Sequence, residues 1–152
     1  KVVEKAKEFI KMTSVVKDAL TAVEVAEVHA MHDATEGGLT AALNEMADAS
    51  NVGFKIEREQ IPIPNEILKL AECFQLSQEQ VLSTSSTGTI LAAICPEAKE
   101  KVMQAFHEHK IEGRILGVFT KKKKRVLVQG RKDTMFPRVA DDPYTRILSG
   151  KL

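Results

Sequence analysis

The spacing of apolar residues changes period several times along the chain, and each change marks an element. Beyond Gly37-Gly38, the residues Leu39, Ala42, Leu43, Met46 and Ala47 recur at intervals of three and four, while Glu45 and Asp48 fall off that face. This is the period of an amphipathic helix, running to about Ser50. Ahead of the glycines, a segment led in by Val25 to Met31 and ending on His32 and Asp33 reads as a strand, so the unit is strand, Gly-Gly turn, helix. Upstream, Val2, Val3, Ala6, Phe9 and Ile10 mark one helical face and Val15, Val16, Ala19, Leu20 and Val23 another. They leave open one helix over 1–23 or two, with Ser14 as the cap of the second.

Downstream, Val52, Phe54 and Ile56 alternate with polar residues, as in a half-buried strand. Ile61-Pro62-Ile63-Pro64 cannot be a central strand, because each proline lacks an N–H. A helix is expected from Pro64 or Asn65 to Phe74, then a short helix or turn over 75–82. Ile90 to Cys95 is a continuous apolar run suited to a buried strand, and Pro96 opens another helix. Ile111 to Phe119 suggests a strand. Lys121 to Arg125 is a basic run before strand-like Val126-Leu127-Val128, and the two strands are expected to form a hairpin with that run as its solvated tip. From Gly130 the chain turns irregular, with Phe136, Tyr144, Ile147 and Leu148 expected to dock the tail. The whole pattern predicts an α+β domain with a mixed, largely antiparallel sheet covered by helices, partly ferredoxin-like.

Composition narrows the class without naming it. With 152 residues the chain is long enough for one domain with a real core. A net charge of +1 gives no global pull toward nucleic acid or a membrane surface. The basic run has no aromatic residues among its charges, as single-stranded nucleic-acid binding would want. No apolar run is long enough to span a bilayer. Cys73 and Cys95 stand in unlike contexts and are expected as buried free thiols in a reducing, cytoplasmic setting, with one disulfide between them as the alternative. The chain opens on Lys1 rather than methionine, as expected of a piece of something longer.

Chemistry gathers at the turn. A helix start offers free N–H groups and the positive end of a dipole, so an anion could sit against Gly37 and Gly38. Those glycines could equally serve a tight turn and close helix–sheet packing. Asp33, Thr35 and Glu36 are rival caps for the helix. His29, His32 and Asp33 would share a face on a helix, but a strand sends His32 opposite to the other two, so no metal site is expected. His32 and Asp33, at the strand's end, suit contacts to a substrate or a structural pair. Ser83 to Thr89 is a hydroxyl-rich loop around Gly88, fit either for a phosphate or ribose-like group or for an ordinary turn.

The run Val28-His29-Ala30-Met31-His32-Asp33-Ala34-Thr35-Glu36-Gly37-Gly38-Leu39, with Asn44-Glu45-Met46-Ala47 behind it, resembles a D-x-T-x-G-G-L…L-N-E segment. That segment is found in the C-terminal domain of the AIR synthase (aminoimidazole ribonucleotide synthetase) superfamily. Ile61-Pro62-Ile63-Pro64, the Ser/Thr-Gly loop and Ile115-Leu116-Gly117-Val118 follow in the same order. The resemblance is strongest to AIR synthase-related and hydrogenase-maturation (HypE-like) members. It covers about 14–129 of a single domain over 1–152, leaving 130–152 as a tail.

The resemblance implies the substrate-side domain of an ATP-dependent synthetase or kinase acting on a small amide- or phosphate-bearing substrate. A non-catalytic scaffold or maturation partner that keeps the fold is the alternative. ATP and Mg²⁺ would be held chiefly by an N-terminal domain outside these residues, which would also build a homodimer. The fragment alone would carry no cofactor and turn nothing over. Asp33 and His32 would be catalytic. Thr35, Gly37, Gly38 and Asn44 would bind substrate or phosphate, with Ser86, Thr87 and Gly88 across from them. Two departures stand out. Many relatives carry arginine where this chain has Glu36, and HypE-like sequences have Asn-Glu-Gly at Ser86-Thr87-Gly88. HypE also ends in a cysteine that carries a carbamoyl-derived group, whereas Ser149-Gly150-Lys151-Leu152 closes this chain, so that particular reaction is not expected.

Overall fold

The helical period upstream of the turn is interrupted once. The computed structural model describes residues 2–138 and 142–150. In it α1 (Val2–Glu8) passes through a 3-10 turn (Phe9–Met12), and α2 (Val16–Val25) begins after a break. The cap of α2 is Val15 without a side-chain bond, so Ser14 does not serve. Next come β1 (Val28–Asp33), α3 (Gly38–Ala49), β2 (Gly53–Glu57), α4 (Asn65–Cys73) and α5 (Gln78–Ser83). A reciprocal capping box between Ser77 and Gln80 starts α5. Then follow β3 (Ile90–Ile94), α6 (Lys99–Glu108), β4 (Gly117–Thr120), β5 (Arg125–Gln129), β6 (Lys132–Met135) and α7 (Tyr144–Leu148).

The architecture is α+β with mixed pairing, as the alternation predicts, but the strands divide into two sheets. One is the antiparallel pair β1–β3; the other has the order β4-β2-β5-β6. In the second sheet β2 runs antiparallel to β4 and parallel to β5. The expected hairpin of β4 with β5 is therefore wrong. Strand β2 lies between them, and residues 121–124 cross its start. That crossing needs Gly53, where a Cβ would lie 2.1 Å from the Lys122 carbonyl oxygen and 2.2 Å from that of Lys124. The actual hairpin is β5–β6, turning at Gly130, so 132–135 is an edge strand where the sequence reads as irregular.

Packing follows from these pairings. Leu43 and Ala47 on α3, Phe54 and Ile56 on β2, Leu82 on α5 and Phe136 after β6 form the buried core. Phe54 meets Phe119 and Phe136 edge to face, with ring centroids 6.1 and 5.0 Å apart. Phe136 and Pro143 are among the most deeply buried residues, so the tail does dock. Tyr144 and Leu148, expected to join it, are exposed. On α2 the residues Val16, Leu20 and Val23 form an uncovered apolar stripe, 50 to 62% exposed. Among the described residues no helix is long and apolar enough to cross a membrane.

Candidate functional site

Strand β1 delivers Asp33 to the edge of a lip formed by two loops. The Ala34 N–H donates to the Thr89 carbonyl (2.9 Å), and the Ser86 N–H donates to that of Ala34 (2.9 Å). The Ser/Thr loop thus stands beside the turn, bonded to it, rather than across a cleft from it. Asp33, Thr35, Glu36 and Thr87 are exposed along this lip, and Ser86 shares its hydroxyl with Thr89 (2.8 Å). Gly88 is turned inward against the backbone of Met12 and Thr13.

None of the three rival caps holds the start of α3. The cap is Gly37, left-handed at φ 69° and without a side-chain bond. Gly38 is also left-handed, and a Cβ there would lie 2.3 Å from the Thr84 carbonyl oxygen. Close packing against 82–84 is therefore what Gly38 provides. The anion reading attaches to Gly37, because the N–H groups of Gly37 (3.4 Å) and Ser85 (3.1 Å) and the Ser85 hydroxyl (2.5 Å) all donate to one carboxylate oxygen, that of Asp142. The three donors form a cradle that holds a carboxylate in place. Ser85 lies inside the hydroxyl-rich loop that the sequence marks, whereas Asp142 carries no such sign. Asp142 lies 105 residues from Gly37, so nothing local connects them.

The two histidines of β1 part company. A bulge between Val28 and Ala30 lets the His29 ring meet the Cys95 sulfur at 3.1 Å. His32 instead faces two groups that can only accept. Its Nδ1 lies 2.5 Å from the Asp33 carbonyl oxygen and its Nε2 lies 2.8 Å from Glu45 Oε2. Only the imidazolium, a donor at both nitrogens, satisfies both. The backbone contact to Asp33 is the main cause of a raised His32 pKa, desolvation opposes it, and the bond and charge of Glu45 reinforce it. Glu45 belongs to the L-N-E part of the segment, but its partner has no local sign, since it meets His32 only once α3 packs on β1.

The sign of the pH effect follows. The unfolded reference is 6.5 and the folded value lies above it. The His32 contribution to stability is therefore complete below that reference and is lost as pH rises through the folded value. NMR titration of the His32 ring should give a midpoint above the ordinary histidine value, moving down in Glu45→Ala without reaching it. A wild-type midpoint at or below the ordinary value would contradict the double-donor assignment.

Asn44 does not reach the lip. It is buried, donating to the carbonyls of Thr40 (2.8 Å) and Pro137 (2.7 Å) and accepting from Arg125 (2.5 Å). Arg125 also grips Asp48 and holds that carboxyl below its usual range. This network ties α3 to β5 and to the segment after β6, so the Asn44 side chain is spent on packing.

These features fit a known family. A family model described as "AIR synthase related protein, C-terminal domain" matches residues 3–129. A putative hydrogenase expression/formation protein of Methanocaldococcus jannaschii is 33% identical over 126 residues, covering 80% of this chain and 36% of that protein. The crystal structure of Escherichia coli HypE, a hydrogenase maturation protein, superposes with a TM-score of 0.76 at 24% identity, covering 88% of this chain and 42% of that one. A structure of HypE in complex with ATP superposes at 0.67 and 18% identity, over 80% of this chain and 38% of that one. The chain thus spans about a third of the first relative's length. It belongs to the AIR synthase-related family, as the C-terminal domain.

Proposed function

We propose that this domain forms the substrate side of an ATP-dependent synthetase or kinase that phosphorylates or activates a small amide- or phosphate-bearing substrate. The observation that carries the reading is the cradle of Gly37 and Ser85 donors closed on the Asp142 carboxylate. Donors that hold one anionic oxygen suit another, and a substrate phosphate would displace Asp142 from them. Asp33 at the lip would orient the acceptor and take its proton, while His32, its imidazolium fixed by Glu45 and the Asp33 carbonyl, would supply positive charge beside it. The Thr35 and Thr87 hydroxyls, and that of Ser86, would bind its polar groups. Such catalysis is mainly positioning and charge stabilisation.

The residues fit the phosphate end of a substrate but do not by themselves fit Mg²⁺. Among the described residues no group of three or more His, Cys, Asp or Glu could hold a metal ion. ATP and Mg²⁺ would be held by the N-terminal domain that completes the cleft. The bare stripe of Val16, Leu20 and Val23 supports such a covering domain, since contiguous exposed apolar residues usually mark an interface. The full-length protein would pair as a homodimer through that domain.

A scaffold or maturation partner is the second reading. It is favoured by exposed Glu36 where relatives carry arginine, and by the cradle being filled from within the chain. Release of ADP by the full-length protein, measured against a panel of amides, ribonucleotides and thiamine phosphates, separates the two. An enzyme releases ADP with one class of acceptor, and a scaffold releases it with none.

A further inference from the structure

The basic run after β4 is held rigidly. The Phe54 N–H donates to the Lys124 carbonyl (3.0 Å), the Thr120 hydroxyl donates to that of Lys122 (2.8 Å), and Gly53 lies beneath both carbonyls. Ordering these lysines therefore costs a ligand little additional backbone entropy. Beside them, along the β5–β6 hairpin, runs an open groove of about 450 Å³. Lys123, Lys124, Arg125 and Arg138 line it, with Asp133 as the one acidic residue.

The charges do not cancel. Asp133 is paired with Lys55 (3.3 Å) and Asp48 with Arg125, Arg138 lies within electrostatic reach of Asp48 without a bond to it, and among the described residues Lys123 and Lys124 make no ion pair. Arg125 has a buried Nε with no acceptor among the described residues. Its side chain is only 6% exposed, so that donor faces the interior, and the groove's accessible charges are those of Lys123, Lys124 and Arg138. The wall carries apolar Val126 and Met135, and the Met135 side chain, 81% exposed, is free to adapt to a ligand body.

We propose that this groove binds a phosphorylated small molecule, with its phosphate among Lys123, Lys124 and Arg138 and a flat or apolar body against Val126 and Met135. Lysine suits phosphate as a point charge and arginine as a planar fork. The volume is that of a small-molecule site. A nucleic acid fits worse, because no aromatic residue lines the groove and the chain carries only +1 overall. This site is separate from the Gly37 cradle. Arg125 contacts Asp48 near the C-terminal end of α3, and a 12-residue helix places that end about 18 Å from Gly37.

The test is an NMR titration of the isotope-labelled chain with inorganic phosphate and with adenosine monophosphate. Saturating shifts are expected at the amides of Lys124, Val126 and Met135, with the nucleotide binding more tightly than phosphate. Lys123→Glu with Lys124→Glu should weaken both ligands about tenfold or more, given the strength of hydrogen bonds to charged groups. Lys99→Glu with Lys101→Glu on α6 makes the same change in net charge and should leave binding intact. Silence at the groove amides, or equal weakening by the α6 pair, would overturn the proposal. Tighter binding of an oligoglutamate peptide than of the nucleotide would overturn it in favour of a peptide groove.

Discussion

Gly38→Ala is expected to destabilise the chain by about 2 to 5 kcal/mol, combining the strain of a left-handed alanine with backbone overpacking. The Cβ would enter at 2.3 Å from the Thr84 carbonyl oxygen and 2.8 Å from that of Leu82, and both are main-chain atoms that cannot swing aside. Typical domain stabilities of about 5 to 15 kcal/mol leave little margin for such a loss. Gly130→Ala is the control. Its φ of 58° is close to the 54° of Gly38, but nothing lies within 4 Å of its added Cβ. It should cost only about 1 to 2 kcal/mol, the strain alone. Urea denaturation of both variants measures the difference. Equal losses would mean that close approach to 82–84 contributes nothing.

The second large effect is expected at Asn44. Alanine there removes the acceptor from the Arg125 guanidinium and the donors to the Thr40 and Pro137 carbonyls. One charge-assisted and two neutral bonds together suggest a cost of about 3 to 6 kcal/mol. Asp48 is mostly exposed and is left in water rather than stranded, so it adds little. Asn44→Asp keeps the acceptor for Arg125 but sets a carboxylate oxygen against the Thr40 and Pro137 carbonyl oxygens, so it should not recover wild-type stability. If Asn44→Ala kept full stability by urea denaturation, the buried network would not be what joins α3 to the segment after β6.

Periodicity within an element is legible in the sequence, whereas helix caps and pairings that depend on distant partners are not. The period of α3 and the extended run of β1 are written in residues three, four or two apart. The place of β2 between β4 and β5 is not, because short connections favour hairpins and only Gly53 lets the lysine loop cross. Strand β6 escaped because Lys132–Met135 is an exposed edge with no apolar alternation. Arg125 was grouped with its lysines as solvated, yet it is buried against α3. Asn44 sits among Ala42, Leu43, Met46 and Ala47, and a polar residue on a buried face was a local sign of an internal bond. Asp142 had no local sign at all.

The cradle also shows why the Gly-Gly turn was ambiguous in sequence. Gly38 serves packing, and the Gly37 N–H faces the carboxylate of Asp142, a group of the chain itself. The arrangement leaves α3 without a side-chain cap of its own and supplies the missing negative charge from Asp142.

The account stands most directly on Asp33 at the lip of that turn. ADP release by the full-length protein should fall at least about tenfold in Asp33→Ala, the ordinary scale for losing a positioned proton-transfer group. Turnover equal to wild type in that variant would contradict a reaction taking place at this lip.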